Sequence, residues 1–178
     1  LLLCVFGIVG GFAGGLVSDK FFQSRRGPPA ALLSGFMFFL VLIMAVFLFQ
    51  SPVVIALAAL LVSAAVIGVH SLMSGTAAAD FGGRKATATC SGIVDGFVYL
   101  GSTIQSVSIG FLTPKEGTAL SPDAALSFSA LAGRSWFWWP LFLAPFALLG
   151  CFIAIKIWHD LPAATRKYIA EVESKKTP

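Results

Sequence analysis

The sequence predicts an all-α fold, a polytopic bundle of helices in a membrane. Three observations predict it. Apolar residues make up 57% of the 178 positions and charged residues only 11%, far from the balance of a soluble domain. The apolar residues gather into five long runs, at about 1–18, 30–49, 53–79, 87–112 and 135–158. The positive charge is sorted among the breaks. Lys20, Arg25 and Arg26 follow the first run, Arg84 and Lys85 follow the third, and Lys156, Arg166, Lys167, Lys175 and Lys176 close the fifth run and the tail. That is ten of the twelve basic residues, while the other side holds only Lys115 and Arg134. Cytoplasmic loops retain Lys and Arg. The expected topology is therefore five spans over residues 1–162 of an inner membrane, with a cytoplasmic tail at 163–178.

Each run must satisfy its own backbone hydrogen bonds in lipid, which makes it a helix. The first run spaces Gly7, Gly11 and Gly15 by four residues, with Gly10 and Gly14 alongside, a pattern that lets two backbones approach closely. The second run, after Ser34 and Gly35, has no polar stripe and is expected to face lipid over most of its surface. Ser51 and Pro52 form a tight turn that lays the third span antiparallel beside it. The fifth span opens at Trp136, Trp138 and Trp139 and closes at Trp158, roughly 33 Å of helix with an aromatic belt at each end. Pro145 is expected to kink it. An outer loop with Pro114, Gly117, Pro122 and Gly133 precedes it, and a short interfacial helix is expected from Ala163.

Polar residues mark two spans as different. Asp95, Tyr99, Ser102, Gln105 and Ser106 fall on one face of the fourth span. Ser63, His70 and Ser74 share a face of the third. His70 and Asp95 both lie roughly 12–14 Å in from the cytoplasmic ends of antiparallel neighbours, so they are placed to pair. An ionised carboxylate stranded at that depth costs ~2.5–3.5 kcal/mol on insertion scales. His70, Ser74, Asp95, Tyr99, Ser102 and Gln105 are therefore the candidate cavity-lining residues, for a substrate or a proton.

Several functions are excluded by pattern. The basic residues form no stripe interleaved with aromatics, so the net charge of +4 points to topology and anionic lipid rather than nucleic acid. Cys4, Cys90 and Cys151 match no metal-site spacing. Beside His70 and Asp95, only Ser74 and Cys90 offer a nucleophile, so neither an enzyme nor a cofactor is expected. The chain opens at Leu1 inside an apolar run, and is read as the C-terminal piece of a longer membrane protein.

The loop after the first span, Gly15, Ser18, Asp19, Lys20, Phe22, Arg25, Arg26 and Gly27, resembles the signature loop of the major facilitator superfamily. Its fuller pattern is similar to the organophosphate:phosphate antiporters, which include glycerol-3-phosphate and hexose-phosphate transporters. Asp80, Arg84, Lys85, Ala86, Thr89, Gly92, Tyr99, Leu100, Gly101 and Ser102 resemble the start of that family's eleventh helix. The resemblance runs from about Gly10 to His159 and implies helices eight to twelve of a twelve-helix fold. It implies exchange of a phosphorylated small organic anion for inorganic phosphate, with the phosphate-binding arginines on helices upstream of Leu1. A proton-coupled carrier of another small solute is the alternative, through Asp95 and His70. Gly15, Asp19, Lys20, Arg25, Arg26, Arg84 and Lys85 are the candidate gating loops. Asp19 is expected to latch onto a guanidinium or onto the positive end of a neighbouring helix.

Overall fold

The computed structural model describes residues 1–113 and 136–174, apart from the side chains of Arg84, Ala163, Ala164 and Glu173. The described residues are mostly helical, with no strand among them. Helix α1 is Leu2–Phe21, α2 is Gly27–Phe47 and α3 is Pro52–His70. A π-helical segment, Ser71–Ala77, continues α3 directly into α4, Ala78–Leu112. Helices α5 (Trp138–Leu141), α6 (Ala144–Lys156) and α7 (Ala163–Ser174) follow. The outer-loop charges Lys115 and Arg134, and the tail residues Lys175 and Lys176, lie outside the described residues.

The third rod is longer than expected. It runs from Pro52 to Gly83, through α3, the π-segment and the first turn of α4. Thirty-two residues of helix reach about 48 Å, more than the thickness of a hydrocarbon core. Residues 80–86, expected as a break, are mostly helix. The chain turns only at Gly83, where φ is 57° and ψ is −165°, a conformation that L side chains rarely adopt. The fourth rod then follows as the remainder of α4.

Among the described residues, four helices are long and apolar enough to cross a bilayer: Leu2–Phe21, Gly27–Phe47, Pro52–Gly83 and Trp138–Lys156. The fourth rod is as long, but its stripe of Ser, Thr, Gln and Asp keeps it out of that group. In the last rod Pro145 does more than kink. Residues 142–143 leave the helix, and α6 restarts with Pro145 in its first turn, where a missing N–H costs nothing.

The rods stand side by side in the order α1, α3, α2, α6. The α1–α3 seam is made by small residues. Gly7, Gly10, Gly14 and Ser18 are the buried residues of α1. A Cβ on Gly10 would lie 2.1 Å from the carbonyl oxygen of Ala64, so the two backbones touch there. A Cβ on Gly14 would meet Gly68 at 3.5 Å, while one on Gly15 would meet nothing within 4 Å. The seam thus runs from Gly7 through Gly10, Gly14 and Ser18, the last three still spaced by four but off the Gly7–Gly11–Gly15 frame, of which only Gly15 is left in open space. Ser63 Oγ donates to the Leu3 carbonyl (2.9 Å) and adds a polar tie across the same seam.

The second span leaves most of its surface unburied, as expected, yet it is more enclosed than its neighbours. α2 is the most buried of the four apolar rods and is packed against both α3 and α6. Ala30, Ala31, Ser34, Val41 and Ala45 are its buried contacts, and Ala154 of α6 joins the core cluster. Gly27, at its start, lies under α6, where a Cβ would sit 2.4 Å from the Ile157 carbonyl oxygen. A uniformly apolar helix looks the same to a hydropathy scale in lipid and in a helix core. Leu32, Phe36 and Phe39 do stay exposed on its other face. The tight turn at Ser51 holds as expected, with Ser51 Oγ accepting from Val54 N–H (3.4 Å) and α2 packed on α3.

Candidate functional site

Two polar clusters lie on the third rod, one at its end and one in its interior. The end cluster is built around Arg26. Residues 22–26 link α1 to α2, and Gln23 and Ser24 take left-handed backbone (φ 53° and 61°). Ser24 N–H donates to the Ser18 carbonyl (2.9 Å), and the tight turn folds Arg26 back over the end of α1. Its Nη1 donates to Asp19 Oδ1 (2.9 Å) and to Ser18 Oγ (3.0 Å), while Nε donates to Asp80 Oδ2 (3.0 Å). Ser18 is fully buried and its hydroxyl donates to the Arg25 carbonyl (3.0 Å). Ser24 Oγ donates to the same Asp19 oxygen (2.9 Å).

One guanidinium therefore joins the ends of α1, α2 and the third rod. It is 14% exposed, Asp80 is 22% exposed and Asp19 is 57% exposed, so the Asp80 bond is the more protected of the two ion pairs. A planar guanidinium can serve two carboxylates at once; a lysine cannot in this geometry. The expected latch partner of Asp19 is thus Arg26, and no helix N-terminus takes that place.

The other loop candidates do not join this cluster. Lys20 and Lys85 are exposed, and neither makes an ion pair among the described residues. Arg25 contributes its carbonyl, while its Nε is buried without a hydrogen-bond partner. Gly15 has open space around it. The side chain of Arg84 lies outside the described residues. Asp80 is the residue that the site reading missed. Its signal was an acidic group one turn before a glycine pair, at the end of an apolar rod.

The interior cluster pairs the third and fourth rods. His70 ends α3, and its Nε2 lies 3.8 Å from Asp95 Oδ1. Ser74, inside the π-segment and buried, donates to the same oxygen (2.6 Å) and is 3.1 Å from Ser91 Oγ. His70 and Asp95, placed by depth to pair, do approach each other, and Ser74 and Ser91 join them. His70 Nδ1 is buried without a hydrogen-bond partner, an arrangement uncommon for interior polar atoms.

The upper stripe does not meet this cluster. Tyr99 is 73% exposed. Ser102 Oγ donates to the Val98 carbonyl (3.0 Å) and Ser106 Oγ to the Ser102 carbonyl (2.9 Å), so both hydroxyls are satisfied on their own helix. Gln105 is half-buried, and most residues from Gly96 to Phe111 are exposed. No group of three or more His, Cys, Asp or Glu suited to a metal occurs among the described residues. Compared with protein-family models, curated proteins and solved structures, the chain matches none.

Proposed function

We propose that this bundle is helices eight to twelve of a secondary active transporter of the major facilitator type. It moves a phosphorylated small organic anion in exchange for inorganic phosphate by alternating access. The membrane is the inner membrane, and the C-terminus is cytoplasmic, on the side of the sorted basic loops. The observation that carries the reading is the Arg26 junction. It ties three rods together at one end of the bundle through two ion pairs, the kind of polar latch whose making or breaking can bias one state over another. The exposed stripe from Tyr99 to Gln105 then faces the central path, and the upstream helices of the same carrier cover the rest of the fourth rod. The choice of a phosphate ester rests on the loop resemblance.

A proton-coupled carrier of another solute is the second reading, favoured by the 3.8 Å approach of His70 to Asp95 between the third and fourth rods, where both side chains stay partly exposed. The test uses the complete carrier in proteoliposomes. Exchange predicts that internal phosphate stimulates uptake of glycerol 3-phosphate or a hexose phosphate at least about tenfold, with no pH gradient present. Asp95→Asn should lower that exchange by about tenfold or less, because it retains an acceptor for Ser74. Proton coupling predicts instead that a pH gradient alone drives uptake, and that Asp95→Asn abolishes it. Uptake that responds to neither driving force would sink both readings.

A further inference from the structure

The π-segment lies between the two clusters on one continuous rod. His70 immediately precedes it, Ser74 is inside it, and Asp80 follows three residues after its end. We propose that Ser71–Ala77 is a register switch, which transmits the state of the Asp95 cluster to the Arg26–Asp80 ion pair.

The physical basis is local. A π turn closes i→i+5 hydrogen bonds in place of i→i+4, and it occurs mainly as single-turn interruptions of α-helices. At the end of this one, Ala78 N–H reaches Met73, five residues back, as well as Gly75. The segment persists because neighbouring hydroxyls satisfy the backbone and tether the turn. Thr76 Oγ1 donates to the Leu72 carbonyl (2.8 Å) and Ser71 Oγ to the Gly68 carbonyl (3.0 Å). Ser74 is the tether across to the fourth rod, through Asp95 and Ser91. Without that tether, the segment can relax to the ordinary α pitch.

The geometric consequence falls on Asp80. Relaxing one π turn to α advances everything downstream by one residue's worth of rotation, about 100°, and about 1.5 Å along the axis. Asp80 then swings off the face that meets Arg26, and the 3.0 Å bond breaks. Arg26 is left with the exposed Asp19 alone. The segment is a two-state element that both clusters bias, which is the condition for coupling between them. The switch does not depend on what the protein carries.

The test reads the junction directly, by spin-label distances. Labels go on Lys20→Cys and Lys85→Cys, exposed positions on either side of the junction, in the complete protein with its other cysteines replaced. Asp95→Ala removes the acceptor of Ser74 and is expected to change the fraction of open junctions about fivefold or more. Deleting Gly75 turns the segment into plain α-helix while both flanks keep their present faces, and a Cβ at Gly75 would meet nothing, so the site is roomy. In that background Asp95→Ala should change the fraction less than about twofold. If the deletion fails to fold, Ser74→Ala replaces it: the response to Asp95→Ala should then be mostly lost, since the tether is already cut. An equal response with and without the intact segment or tether, or no response in the parent protein, overturns the proposal.

Discussion

Gly10→Val is expected to destabilise the bundle more than any other single change considered, by about 3 kcal/mol or more. Even an alanine Cβ would lie 2.1 Å from the Ala64 carbonyl oxygen and 2.6 Å from its Cα. Those atoms are backbone in the middle of α3, so no side chain can move aside. The rods must separate, and the contacts along Gly7, Gly14 and Ser18 loosen with them. Gly15→Val is the matched control, because a Cβ there meets nothing within 4 Å. It should change stability by about 0.5 kcal/mol or less. Equilibrium unfolding in mixed micelles measures both. Equal losses for the two variants would contradict the seam.

Arg26→Ala is expected to cost about 2–3 kcal/mol in the same measurement. Removing one partner of a buried ion pair typically costs ~3–5 kcal/mol, and the figure is reduced here because Asp80 is partly exposed and Asp19 mostly so. Asp80 loses its only ion-pair partner among the described residues, and Ser18 Oγ loses a donor. Arg26→Lys should recover less than half of the loss, since an ammonium cannot span Asp19, Asp80 and Ser18 in one plane. Asp19→Asn should cost well under ~1 kcal/mol, as expected for an exposed pair. If Arg26→Lys restored full stability, the shared guanidinium would be a surface charge and no junction.

How much of this was legible follows from what each residue signals. The helices were legible because lipid permits little else, and because loop lysines and arginines are sorted. The meeting of His70 with Asp95 was legible because two polar residues at matching depth on antiparallel neighbours leave few other partners. The place of α2 was not. Its side chains are apolar all round, and only the small residues Ala30, Ala31, Ser34 and Ala45 hinted at close neighbours. The end of the third rod was misread because Asp80 and Arg84 look like a loop, although the Gly82–Gly83 pair is where a helix commonly stops. The π-segment carries no propensity signal at all. Ser71, Ser74 and Thr76 are ordinary membrane-helix residues until the hydroxyls are seen bonded across the turn.

The glycine seam shows the same limit more finely. Spacing announced that α1 would pack closely, but which glycines touch depends on the crossing geometry of α3. Gly10 against Ala64 and Gly14 against Gly68 follow from that crossing, and Gly15 is left facing open space.

As a carrier, the protein would present the polar stripe of the fourth rod to an aqueous path. Ser102→Cys and Gln105→Cys, introduced separately into the complete protein in sealed vesicles, test it with a membrane-impermeant thiol reagent, with Lys20→Cys as the reactive control. Both stripe positions should react in the resting protein, and saturating solute should slow them by about tenfold as the path closes. Stripe cysteines that stay unmodified under every condition, while the control reacts, would contradict it.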